Sequence, residues 1–153
     1  MNNKEELLIH TITTQDCDIC GVSEVDIEDF DEKKPYSIEG YNTFFPLQRP
    51  GTNKKRLLCF VKNSIEAEQR SDLMSSLLSN VWIQAKSKNQ KILICLIYRE
   101  FNDLTGKGQM SVDLQLERLK IFSLQIEQAS KEGLVLIMGD MNIDVTKYGD
   151  PSY

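Results

Sequence analysis

Leu134-Val135-Leu136-Ile137-Met138-Gly139-Asp140-Met141-Asn142-Ile143-Asp144 is the most informative segment of this 153-residue chain. It opens with an uninterrupted apolar run, the pattern of a strand buried on both faces in α/β packing. The run passes straight into a polar cluster. If the extended backbone persists, Asp140, Asn142 and Asp144 project to one side, because strand side chains alternate. Met141 and Ile143 then point the other way, into the core. Gly139 lets another group approach the backbone closely just ahead of the first carboxylate. A carboxylate and a carboxamide at the end of a buried strand suit a hard cation and a phosphate oxygen. The bland alternative is that strands must end in something polar, and Asp and Asn are common turn residues.

Immediately upstream lies the clearest helix signal. Ser111 is a plausible N-cap, and Val112, Leu116, Leu119, Phe122, Ile126 and Ala129 recur at steps of four and three. Asp113 in the first turn and Lys131 in the last suit the helix dipole, and Gly133 is placed to end the helix. Before it, residues 101–109, with Gly106 and Gly108, read as a surface loop. Strands are expected at Val81-Trp82-Ile83 and over 92–98, joined by a polar hairpin. A short helix or turn is expected over 72–78, and a strand over 56–61 entered from the basic turn Asn53-Lys54-Lys55. Tyr41 to Phe45 reads as a strand stopped by Pro46, and residues 2–15 as a helix carrying Leu7, Leu8 and Ile12. A strand, a long helix and another buried strand point to α/β packing.

A second buried run, Asp18-Ile19-Cys20-Gly21-Val22-Ser23-Glu24, again delivers a carboxylate at a strand end. Glu24 and Asp140 at neighbouring strand ends can share Mg²⁺, which usually takes one or two protein carboxylates and fills its other positions with water and substrate oxygens. An acidic, turn-rich stretch follows from Asp26 to Pro35.

The wider composition sets limits. Lys plus Arg is 18 and Asp plus Glu is 23, a net charge of −5, which argues against gripping nucleic acid through bulk positive charge. Asn53-Lys54-Lys55-Arg56, with Arg49 nearby, is the one basic cluster, and reads as a solvated turn. No apolar run approaches the roughly 18–20 residues of a membrane helix, and the polar N-terminus has no signal-peptide core. An intracellular protein, nuclear or cytoplasmic, is expected. Cys17-Asp18-Ile19-Cys20 is formally C-x-x-C, but a zinc site needs a second pair or histidines, and the chain has a single His, His10. Cys20, Cys59 and Cys95 lie in apolar runs and read as reduced core thiols.

In order along the chain, D-I-C-G-V-S-E at 18–24, G-Y at 40–41, the basic turn before a strand, I-Y-R at 97–99 and G-D-M-N-I-D at 139–144 resemble the endonuclease/exonuclease/phosphatase superfamily. Within it, the chain looks most like the apurinic-type endonuclease domain of non-LTR retrotransposons. The resemblance spans roughly residues 3 to 145. It implies a single domain over residues 1–153, a partial four-layer α/β/β/α sandwich of two mixed sheets with outer helices. It implies metal-dependent phosphodiester hydrolysis with Mg²⁺ (or Mn²⁺), a DNA substrate, and a parent chain that carries a reverse transcriptase. By the same resemblance Glu24 binds the metal, Asp140 orients or deprotonates the attacking water, Asn142 contacts the scissile phosphate and Tyr98 stabilises the transition state. Asp144 is left as a peripheral residue.

The chain departs from the family pattern in three places. The family's first strand, with its asparagine near the metal, is absent, as is the late aspartate-histidine pair. Arg99-Glu100-Phe101 stands where a proline often follows Tyr98. These departures suggest a truncated or degenerate copy lacking full activity. Two other readings remain open: a phosphatase or phosphodiesterase of the same superfamily, and a non-catalytic remnant that binds nucleic acid or protein.

Overall fold

The computed structural model describes residues 3–28, 36–51, 54–87, 90–100, 108 and 110–142. Helix α1 (Asn3–Thr14) is followed by strands β1 (Ile19–Glu28), β2 (Tyr41–Phe44), β3 (Lys54–Lys62) and β4 (Ala67–Gln69). A 3₁₀ turn (Ser71–Leu73) leads to β5 (Ser79–Ser87) and β6 (Gln90–Tyr98), then helix α2 (Val112–Ser130) and β7 (Leu134–Asp140). One sheet has the order β1-β3-β2 and the other β4-β5-β6-β7. All pairings are antiparallel except β6–β7, which is parallel and bridged by α2.

Period-two alternation builds the layers. On β3, Leu58 and Phe60 turn outward and meet Ile12 of α1. Its alternate residues Leu57, Cys59 and Val61 turn inward and meet Val81, Ile83, Leu96 and Tyr98 of the other sheet. The opposite face of that second sheet, with Trp82, Leu93, Cys95 and Ile97, packs on Phe122 and Ala129 of α2. The result is helix, sheet, sheet, helix, the expected partial sandwich. Each fully buried Leu or Ile of these layers contributes about 1.5–3 kcal/mol by leaving water.

Several expectations need correcting. Strand β7 is not buried: Leu134, Leu136 and Ile137 are 61%, 48% and 42% exposed. Among the described residues it pairs with β6 alone, so its outer edge has no neighbour to cover it. The buried row of α2 is Arg118, Phe122, Gln125 and Ala129, while Val112, Leu116 and Leu119 face water. Apolar spacing missed this because two members of the buried row are polar. Gln125 belongs there because its Oε1 accepts hydrogen bonds from Asn80 Nδ2 (2.7 Å) and the Trp82 indole (3.2 Å). Ser111 does cap the helix, accepting from the Leu114 N–H at 3.2 Å. Strand β1 runs past Glu24 to Glu28, and β4 carried no usable signal in three residues. Arg49 is not part of a solvated basic turn; it is buried and ion-paired to Glu100. The four cysteines are free, Cys59 and Cys95 fully buried and the other two half-buried. Burial pushes the Cys59 thiol up to about 12, so it is an inert core group.

Candidate active site

Glu24 is placed by a break in the β1–β3 ladder. Ser23 pairs with Leu57 and Ile27 with Lys55, so Glu24, Val25 and Asp26 stand opposite Arg56 alone. The extra residues force Glu24 to a left-handed φ of 60°, a conformation that costs a non-glycine residue on the order of 1–3 kcal/mol. The bulge leaves the Glu24 side chain exposed at the end of the cleft between the sheets.

Tyr98 closes the other side. As the last residue of β6 it faces the inter-sheet core, and its hydroxyl donates to Glu24 Oε1 at 2.9 Å across 74 positions of sequence. Burial, and then this hydrogen bond, hold the phenol above the usual tyrosine range, so it stays a protonated donor. The Arg56 guanidinium lies 5.4 Å from the centre of the Tyr98 ring, which puts a cation beside the phenol.

Asp140 is held by register. In the parallel β6–β7 ladder Tyr98 pairs with Asp140 and Ile97 with Gly139. A Cβ at Gly139 would lie 1.9 Å from the Ile97 carbonyl oxygen, and the residue has φ +137°, so the close approach expected there is to the neighbouring strand itself. Gly21, Ser23, Met138, Gly139 and Asp140 line one cleft of about 220 Å³, which brings β1 and β7 together at the Glu24 end.

The extended backbone does not continue past Asp140. Asn142 turns to φ +50°, its N–H donates to Asp140 Oδ1 at 2.8 Å, and its side-chain Nδ2 donates to the Arg99 carbonyl at 2.6 Å. The Arg99 N–H donates to the Asp140 carbonyl at 2.8 Å, and its guanidinium reaches the Met141 and Asn142 carbonyls at 3.4 Å. Asp140 and Asn142 therefore meet through a turn clamped by Arg99, not through strand alternation. Met141 packs toward the helix-side core, as expected. Asp144, and most of the loop at 101–109, lie outside the described residues. His10 is exposed on α1, on the far layer.

Glu24, Tyr98, Asp140 and Asn142 thus gather at one end of the two sheets. Sequence reading gave no site role to Arg56, taken as part of a solvated basic turn, or to Arg99, whose guanidinium grips the turn that carries Asn142. Each stands at the end of an apolar run, and nothing local marked its tertiary partner. Among the described residues no three His, Cys, Asp or Glu side chains converge as a cage for a metal ion. The donor set fits the sparser mode of Mg²⁺, one or two carboxylates completed by water and substrate oxygens.

Two facing sheets with outer helices are the layers of the endonuclease/exonuclease/phosphatase type of fold, present here in part. Among solved structures, the chain is similar to the endonuclease domain of TRAS1, a telomere-specific non-LTR retrotransposon, at 17% identity and a TM-score of 0.60, covering 95% of this chain and 55% of that one. It is similar to a humanised D. rerio TDP2 at 14% identity and a TM-score of 0.62, covering 96% and 58%. It is also similar to ANGEL2, a 2′,3′-cyclic phosphatase, at 21% identity and a TM-score of 0.58, covering 95% and 45%. The chain spans about half the length of these structures. No family model and no curated protein matches the sequence. No described helix is long and apolar enough to cross a membrane.

Proposed function

We propose that the chain is part of a metal-dependent phosphodiesterase domain that nicks DNA, of the kind borne by non-LTR retrotransposons alongside a reverse transcriptase. The observation that carries this reading is the Tyr98 hydroxyl on Glu24 with Asp140 in register beside Tyr98. Glu24, with Asp140 close by, would hold Mg²⁺ or Mn²⁺, since one carboxylate oxygen of Glu24 remains when the other accepts from Tyr98. When bound, the ion neutralises charge on the phosphoryl and leaving oxygens.

The chain's own residues then divide the work. Asp140 has Oδ1 fixed by the Asn142 N–H, which leaves Oδ2 to orient a water and take its proton. As the water oxygen bonds to phosphorus, the bond from phosphorus to the leaving oxygen breaks. The second amide hydrogen of Asn142 is directed to a phosphoryl oxygen, because its first is spent on the Arg99 carbonyl. Tyr98, kept protonated, donates where negative charge develops.

The test is nicking of supercoiled plasmid and of abasic DNA with Mg²⁺ or Mn²⁺, beside thermal unfolding with and without the ion. Cleavage that disappears in Asp140→Asn, with metal-dependent stabilisation that disappears in Glu24→Gln, supports the reading. Cleavage that survives Asp140→Asn, or a metal response indifferent to Glu24, refutes it. Hydrolysis of a 2′,3′-cyclic nucleotide in preference to DNA transfers the chain to the phosphatase branch.

A further inference from the structure

We propose that Glu100 is a positioning residue: its buried carboxylate holds the peptide unit that orients Asn142 and, through it, Asp140. Glu100 stands two residues past the end of β6, and Glu100, Arg49 and Ser79 are all buried. One Glu100 carboxylate oxygen is ion-paired to Arg49 Nη1, and the other accepts from Ser79 Oγ at 2.7 Å. Both anchors come from elsewhere in the chain. Arg49 lies in the connection between β2 and β3, and Ser79 opens β5, where it pairs with Tyr98. A buried carboxylate that loses either partner is left with an unmet oxygen, so the side chain is held in the one arrangement that meets both.

The link to the candidate site is covalent. The Arg99 carbonyl belongs to the planar peptide unit that ends at the Glu100 Cα, so an anchored Glu100 limits how that carbonyl turns. The same carbonyl accepts from Asn142 Nδ2 at 2.6 Å. Asn142 has a left-handed φ of 50°, a conformation that persists only where surrounding contacts hold it. Its N–H in turn fixes Asp140 Oδ1 at 2.8 Å. The Arg99 N–H donates to the Asp140 carbonyl at 2.8 Å. The end of β6 is thus gripped toward β5 by the Glu100 side chain and toward β7 by the Arg99 main chain.

Stability is a poor account of the Arg49–Glu100 pair. Burying two charges costs solvation, and replacing both by apolar side chains of similar volume is often neutral or stabilising. An apolar pair does not reproduce a directional hold on one peptide plane. The effect on catalysis rests on the phosphodiesterase reading, whereas the hold on Asn142 is independent of it.

The experiment compares wild type with the double variant Arg49→Met/Glu100→Met. Both charges leave together, so the net charge around Arg118, which senses each of them, is unchanged. The double variant is expected to unfold within about 4 °C of wild type, or above it. The readout is the Asn142 side-chain amide in heteronuclear NMR, identified by its absence in Asn142→Ala. In wild type one of its protons is expected to exchange with solvent about tenfold or more slowly than those of exposed asparagines, and in the double variant this protection is lost. Ser79→Ala frees one oxygen without stranding a charge and is expected to lower the protection about threefold. Arg49→Lys, which keeps the charge and a donor, retains it, as does Arg70→Met, which breaks an ion cluster elsewhere. In nicking assays the double variant is expected to lose about 100-fold in kcat with KM changed less than about threefold, because misplacement acts on the transition state. An unprotected Asn142 amide in wild type, protection unchanged in both the double variant and Ser79→Ala, or protection lost equally in Arg70→Met overturns the proposal. A wild type with a protected Asn142 amide and no nicking refutes the phosphodiesterase reading, and loss of that protection in the double variant still upholds the positioning role.

Discussion

Gly139→Ala tests the geometry on which the candidate site depends. A Cβ there falls 1.9 Å from the Ile97 carbonyl oxygen, and ordinary contact begins near 3.4 Å, so β6 and β7 must part by about 1.5 Å. The obstacle is backbone, which no rotamer change relieves. The φ of +137° adds on the order of 1–3 kcal/mol of strain for any residue with a Cβ. With the neighbouring ladder bonds stretched, the total loss is about 3–5 kcal/mol. Gly40→Ala is the control, because Gly40 also has positive φ (+85°) but nothing within 4 Å of its Cβ. It is expected to lose about 1 kcal/mol from backbone strain alone. Urea unfolding followed by circular dichroism reads both. For a domain of this size the two variants should differ in Tm by about 10 °C. Asp140 follows Gly139 directly, and displacement of about 1 Å typically costs on the order of 100-fold in rate, so nicking should fall by about that factor. Gly139→Ala within about 0.5 kcal/mol of Gly40→Ala would refute the close β6–β7 approach, and with it the placement of Asp140 beside Tyr98.

Other perturbations follow from single contacts. Tyr98→Phe removes a protonated donor facing Glu24 and is expected to lower nicking about 100-fold while changing stability by about 1 kcal/mol, read by single-turnover kinetics beside denaturant unfolding. Gln125→Leu strips the acceptor from the buried Asn80 amide and Trp82 indole and is expected to destabilise by about 2–5 kcal/mol despite its added apolar surface, with altered Trp82 fluorescence. Arg70 holds the Asp72 carboxyl, and that of Glu132, below their ordinary values. The folded state therefore binds fewer protons than the unfolded one, so this stabilisation is full above the ordinary carboxylate values of 3.8 and 4.5 and fades as pH falls through the depressed ones. Wild type should exceed Arg70→Met in Tm at neutral pH, and the gap should narrow below about pH 4. A gap that widens on acidification contradicts the Arg70 cluster.

The sequence by itself determined most of the elements, β4 excepted, and the residue types at several of their ends. The apolar runs in β3, β5 and β6 marked them as strands, because a short apolar run bounded by polar turns is a local property, whereas the two faces were assigned by packing. The Ser111 cap and the span of α2 were equally local. So was the delivery of Glu24 and Asp140 by apolar runs. What only the tertiary structure decided were facts set by partners distant in sequence. Gln125 stands on the buried face of α2, outside the apolar stripe, because the Asn80 amide and the Trp82 indole lie opposite it. The apolar run 134–138 forms an exposed edge because burial depends on neighbouring strands, which composition cannot count. Glu24 sits on a bulge, and Asn142 in a turn gripped by Arg99, because ladder register and cross-strand hydrogen bonds fixed both. Proximity across 74 residues, as between Tyr98 and Glu24, is a property of packing, and no local pattern encodes it.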